Sequence, residues 1–154
     1  MTTFNILLVD DEKPFINTLA QRLRKRRFTV DCAFSGIEAL NQLNDNNSID
    51  VVVMDIKMPG LDGIGTVKKI KKKYPLVEVI MLTGHSTIPS AVETIKIGAF
   101  AYLTKPCELN QLISKTEQAV CRKKEREAKI FDVRIKPYIT KQERDELISQ
   151  ILES

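Results

Sequence analysis

The run from Ile49 to Asp55 constrains the fold most. Val51, Val52, Val53 and Met54 follow one another with no polar residue between them, and Asp55 then ends the run abruptly, ahead of Pro59, Gly60 and Gly63. A half-buried strand alternates apolar and polar residues. A strand apolar on both faces belongs in the interior of a parallel sheet with helices above and below it. Ligands of open α/β sheets collect beyond the carboxyl ends of their strands, so Asp55 is placed where chemistry is done.

Four further segments share this grammar. Phe4 to Val9 is apolar and ends in Asp10-Asp11-Glu12; Phe15, Ile16, Leu19, Ala20 and Leu23 then recur at helical spacing. Phe28 to Ala33 reads as a second strand, and Ser35-Gly36-Ile37-Glu38 is a capping-box pattern opening a helix that Asn44 to Ser48 stops. After the third strand, Ile64, Val67 and Ile70 mark a helix closed by Tyr74-Pro75. Val77 to Leu82 is a fourth strand ending at Thr83, with Ser86 or Thr87 capping a helix that Gly98 ends in a left-handed conformation. Phe100 to Thr104 is the fifth strand, stopped by Lys105-Pro106, and a long helix runs from about Glu108 into the charged Arg122 to Lys129 segment.

Five strand-helix alternations imply an α/β fold, a doubly wound parallel sheet covered on both faces. Right-handed crossovers favour the flavodoxin-like order 2-1-3-4-5. The first and third strands are then neighbours, which brings Asp10, Asp11 and Asp55 to one rim, and Thr83 and Lys105 reach it from the fourth and fifth strands. The predicted division is residues 1–129 as the domain, with 130–154 as a linker and short helix. Proline at 137 breaks the chain, Thr140 to Glu143 is a second capping box, and Leu147, Ile148, Ile151 and Leu152 form one stripe. A helix this short is marginal alone in water, so the stripe calls for a docking surface on this domain, on a second copy or on another protein.

Composition narrows the setting. Of 154 residues, 43% are hydrophobic and 29% charged, with no apolar run near the roughly 20 residues a membrane helix needs, and the amino-terminal residues lack a secretion-signal pattern. The expectation is a cytoplasmic protein with no membrane partner. Cys32, Cys107 and Cys121 share no metal-ligand spacing and read as small apolar residues. The net charge of +4 is spread over Arg22 to Arg27, Lys68 to Lys73 and Arg122 to Lys129, read as solvated helix surface, and no direct nucleic-acid binding is expected.

Three carboxylates gathered on one rim repel one another unless a cation or a shared proton intervenes. Mg²⁺ suits such an open site, because it keeps several waters and takes one or two carboxylates plus phosphate oxygens. Three carboxylates are then nearly balanced by one Mg²⁺ and Lys105. A carboxylate attacking phosphorus forms an aspartyl phosphate; Lys105 and the Thr83 hydroxyl can stabilise charge on the transferring oxygens, and Gly84 leaves room for the donor.

Leu7-Leu8-Val9-Asp10-Asp11-Glu12, Val53 to Gly63, Met81-Leu82-Thr83-Gly84 and Gly98 to Pro106 together resemble the receiver domain of bacterial two-component response regulators, over Phe4 to about Arg122. The resemblance implies Asp55 as phosphoacceptor, Asp11 as direct metal ligand, Asp10 acting largely through water, and the Lys57 carbonyl facing the metal. It makes Thr83 the switch hydroxyl, Lys105 the phosphate partner with a cis Lys105-Pro106 bond, and Tyr102 an aromatic that rotates inward on activation. None of these positions departs from the family pattern. His85 and Lys57 sit where the family tunes phosphate lifetime, and Phe15 reads equally as a kinase-docking or a core residue.

The implied function is a signalling module rather than an enzyme. A sensor histidine kinase or phosphotransfer protein supplies the phosphoryl group, and Mg²⁺-dependent transfer to Asp55 switches affinity for a partner or for a second copy, through the face of the fourth helix, fifth strand and fifth helix or through the C-terminal helix. The alternatives are a receiver fragment of a longer transcriptional regulator and a Mg²⁺-dependent phosphatase with an aspartyl nucleophile. Against the phosphatase, Lys57 occupies the place of a second aspartate. The residues after Lys129 are too few for a helix-turn-helix domain with its own core.

Overall fold

The computed structural model describes residues 3–55, 63–84 and 88–154, without the side chains of residues 83 and 88–91. Expectations that rest on Lys57, His85, Ser86 and Thr87, and on the Thr83 hydroxyl, lie outside that description.

The elements run β1 (Asn5–Val9), α1 (Lys13–Lys25), β2 (Thr29–Ala33), α2 (Gly36–Asp45), β3 (Val51–Met54), α3 (Gly63–Lys73), β4 (Glu78–Thr83), α4 (Ile88–Lys96), β5 (Ala101–Thr104), α5 (Leu109–Arg134) and α6 (Lys141–Glu153). The strands form one parallel sheet in the order β2-β1-β3-β4-β5. This is the expected doubly wound order, with β1 and β3 adjacent at the switch point.

The central strands explain why two helical layers are needed. Successive residues point to opposite faces, so Ile6, Leu8, Val51 and Val53 pack under α1 and α5 against Ile16, Leu23 and Leu112. Leu7, Val9, Val52 and Met54 pack on the other face against Ala39, Leu43, Val67 and Ile70 of α2 and α3. All four β3 residues are buried, as an unbroken apolar strand requires.

Local signals set several element ends. The Ser35 side chain accepts from the Glu38 N–H, while the Glu38 carboxylate accepts from the Phe34 N–H at 2.6 Å, one residue earlier than a standard capping box. Gly98, at φ 113°, carries the chain out of α4 towards β5. There Lys71 crosses so closely that an added Cβ would lie 3.0 Å from its Cγ.

Helix α5 runs unbroken past residue 129 to Arg134, and the break falls at 135–140. Thr140 caps α6 by accepting from the Glu143 N–H. Helix α6 then folds back along α5, whose Ile130 and Val133 are buried. Near the far end of α6, Arg126 Nη2 donates to the Ser154 carbonyl at 2.8 Å. The α6 stripe thus packs on this chain's own α5, and Leu147, Ile148, Ile151 and Leu152 are half-buried.

The basic segments are less uniformly solvated than the sequence suggests. Glu78, fully buried at the start of β4, takes ion pairs from Lys71 Nζ (3.1 Å), Arg122 Nε and Arg126 Nη1 (3.7 Å). Burial pushes the Lys71 ammonium below its ordinary value, although Glu78 pulls the other way. Lys123 is also engaged, 2.7 Å from Asp50 and 3.2 Å from Glu127.

Candidate functional site

The carboxyl ends of β1, β3 and β5 bring the acids and the lysine singled out in the sequence to one rim. The ladder continues one residue past each of the first two strands: Asp10 N–H donates to the Ala33 carbonyl and Asp55 N–H to the Val9 carbonyl, both at 3.1 Å. Those bonds fix the two aspartates side by side on rigid backbone. Asp10 and Asp55 are buried, and Asp11, the next residue along, is exposed at the rim.

Carboxylate oxygens of Asp10, Asp11 and Asp55 all lie within 4.8 Å of one another. Partial desolvation, followed by the hydrogen bond and charge of Asp10 and then the charge of Asp55, raises the Asp11 carboxyl above its ordinary value. Such crowding is what a hard dication offsets, and an all-oxygen donor set of this size fits Mg²⁺.

Lys105 enters from the end of β5, after Thr104, which pairs with Thr83 of β4. Its Nζ lies 2.6 Å from Asp10 Oδ2, 3.4 Å from Glu12 Oε1 and 3.7 Å from Asp55 Oδ2. Burial alone would lower its pKa; the hydrogen bond and charge of Asp10, with Asp55 and Glu12, outweigh that and raise it. The ammonium therefore stays charged. Asp10 is held from its other oxygen as well, where the Glu12 N–H donates to Oδ1 at 3.0 Å.

Asp10, Asp11, Asp55 and Lys105 are thus brought together as expected, and the Lys105-Pro106 bond is cis. Thr83 ends β4 on the same rim. Tyr102 stands apart on β5, opposite Met81, and is 42% exposed. Two neighbours of Lys105 were not read from the sequence as partners. Glu12 completes the Asp-Asp-Glu motif, and the Phe15 ring, its centroid 4.3 Å from Nζ, forms a cation-π floor beneath it. Phe15 also packs against the core.

A doubly wound sheet with acids at its switch point and a lysine beyond its last strand defines a class of protein, and the comparisons give the family. Residues 6–117 match the response regulator receiver domain. The chain belongs to this family, the phosphoaccepting signalling modules of two-component systems. Receiver domains bind Mg²⁺ at an acidic pocket, and this chain has the corresponding aspartate cluster.

A protein described as an NtrX-like response regulator in Rickettsia conorii is 38% identical over 115 residues, 73% of this chain and 24% of the relative. The transcriptional regulatory protein ZraR of Escherichia coli is 37% identical over 116 residues, 75% of this chain and 26% of the relative. A receiver domain structure from Clostridium thermocellum superposes with a TM-score of 0.75 at 39% identity, covering 79% of this chain and 97% of that one. The chain spans about a quarter of the length of the curated relatives it matches. Among the described residues no helix is long and apolar enough to cross a membrane.

Proposed function

We propose that Asp55 is the phosphoacceptor of this receiver. The observation that carries the reading is the set of three carboxylates within 4.8 Å of one another, with Lys105 reaching two of them. One Asp55 carboxylate oxygen forms a bond to phosphorus as the phosphorus-nitrogen bond of a kinase or phosphotransfer phosphohistidine breaks and the imidazole leaves with the bonding pair. Asp10, Asp11, Asp55 and the Lys57 carbonyl would hold Mg²⁺, which supplies charge neutralisation for the transferring oxygens. Lys105 exchanges part of its pairing with Asp10 and Asp55 for a phosphoryl oxygen, and the Thr83 hydroxyl donates to another.

The output follows from the same rim. Thr83 and Tyr102 lie on adjacent strands, and Val92, Ile95 and Tyr102 are large apolar side chains left exposed on α4 and β5. Movement of Thr83 towards the phosphoryl group, with Tyr102 turning inward, would alter that face and its affinity for a partner or a second copy. Residues 1–129 act as the receiver and 130–154 as an appended segment, and the expected setting is the cytoplasm.

A second reading concerns the whole protein. The match to about a quarter of each longer relative, one of them named a transcriptional regulatory protein, supports this chain acting as the receiver part of a longer regulator. In that setting nucleic-acid contacts belong to other segments.

Incubating the chain with acetyl phosphate and Mg²⁺ and measuring intact mass tests the assignment. One phosphoryl adduct is expected, absent in Asp55→Asn and in EDTA. A stable adduct on Asp55→Asn would overturn it.

A further inference from the structure

An open groove lies between α2 and α3, and the phosphoacceptor chemistry does not use its residues. It follows from two helix faces. Along α2, Ile37, Leu40 and Asn44 recur at helical spacing and share one stripe. Ile37 is 60% exposed and Leu40 half-buried. Along α3, Gly63 to Lys73 contains five lysines and no acidic residue. Lys71 turns inward to the Pro75 and Val77 carbonyls and to Glu78. Lys68, Lys69, Lys72 and Lys73 are exposed.

Between the helices lies an open cavity of about 510 Å³, lined by Leu40, Lys69, Lys72, Lys73 and Tyr74. Its lining combines Leu40, the tyrosine and the lysine stems with three ammonium-bearing side chains, and no carboxylate is found among the described lining residues. Asn44 fixes one end, accepting from Lys73 Nζ at 3.3 Å and lying 3.5 Å from the Tyr74 hydroxyl. Lysines in the last turn complement the helix dipole, which accounts for Lys72 and Lys73. It accounts for neither the exposed Ile37 nor an apolar cavity walled by charges of one sign.

The geometry points to the α2–α3 groove as a docking site for an acidic amphipathic helix of a partner protein, apolar side chains entering the cavity and carboxylates meeting Lys69, Lys72 and Lys73. Charge complementarity selects the sign of the partner. The apolar part of the lining, Leu40 and the Tyr74 ring, selects a peptide over a phosphate backbone, which would use the lysines and leave the cavity unfilled. A groove between neighbouring helices also takes a third helix by ridge packing, with anchors three and four residues apart. The surface is separate from the Asp55 chemistry and stands or falls independently of it.

A displayed library of amphipathic helical peptides, selected on the full chain, tests the inference. Peptides rich in Asp and Glu beside an i, i+3, i+4 apolar stripe are expected to be enriched. A synthetic copy of the best of them is expected to shift the amide resonances of Leu40, Lys69, Lys72 and Tyr74. Its affinity is expected to fall at least tenfold for Lys69→Glu/Lys72→Glu, and severalfold for Ile37→Ser. Both variants, at exposed positions, should still take up phosphoryl from acetyl phosphate, which separates this test from that of Asp55. The inference is overturned if selection enriches no acidic peptide, if the shifts map elsewhere, or if the lysine reversal leaves affinity unchanged. It is equally overturned if random-sequence duplex DNA or phosphatidylserine vesicles bind through these lysines more tightly than any selected peptide.

Discussion

Lys105 Nζ sits 2.6 Å from Asp10 Oδ2, closer than to any other carboxylate it meets among the described residues. The proposed phosphate partner is therefore tied to a proposed metal-site residue before any phosphoryl group arrives. Lys105→Met removes that cation and leaves three carboxylates to a metal alone. A unit charge a few ångströms away in a partly solvated site is worth about 1 kcal/mol. Mg²⁺ should bind the variant about fivefold more tightly, read by calorimetric titration, while phosphoryl uptake from acetyl phosphate slows.

Asp11 bears the cost of the same crowding. Its carboxyl is pushed up first by desolvation and then by Asp10, so its ionised form is disfavoured in the fold. Asp11→Asn should stabilise the chain in EDTA by about 0.5 kcal/mol, a figure kept small because the side chain is exposed to screening solvent. The same variant should lose at least tenfold in Mg²⁺ affinity. Paired thermal melts in EDTA and in Mg²⁺ check both signs.

Glu78 is the mirror case, one buried carboxylate facing three cations. Glu78→Gln leaves Lys71, Arg122 and Arg126 without a counter-charge in a buried setting, which costs about 3–5 kcal/mol. Urea unfolding should show that loss, with little change in the Mg²⁺ affinity of the distant rim.

These cases show which parts of the molecule were legible in the sequence. Strand order and the acidic rim could be read because each functional residue directly follows an apolar run, so local order alone places it. Glu78 could not be read so. It sits in a strand pattern as an ordinary charged residue, and its burial depends on Lys71, 7 residues away, and Arg122, 44 away. The extent of α5 was equally hidden, because Arg122 to Lys129 reads as a solvated end. Arg126 is buried there because α6 folds back over it, a consequence of the turn at 135–140 that no local pattern states.

Lys123 gives a pH signature. Burial lowers its pKa, but Asp50 and then Glu127 outweigh that and raise it above the ordinary 10.5. A lysine raised on folding contributes stability that is fully present below its unfolded pKa and is lost as pH rises through its folded pKa. The stability difference between the chain and Lys123→Met should be about 1 kcal/mol and flat from neutral pH to about 10, shrinking above 10.5. Urea titrations at stepped pH measure it. A difference that shrank between pH 6 and 9 would assign the effect to another group.

Helix α6 depends on its cap and on α5 together, since it has no fully buried residue of its own. Thr140→Ala removes the acceptor for the Glu143 N–H and should cost about 1 kcal/mol locally. That cost falls on the α6 equilibrium and leaves the sheet untouched. Amide exchange in α6 should accelerate about fivefold in Thr140→Ala while β1 and β3 keep their protection. Ile130→Ser, which removes a buried apolar contact from α5, should accelerate α6 exchange further and also expose Arg126. If α6 exchange were unchanged in both variants, the fold-back onto α5 would not be what holds this helix.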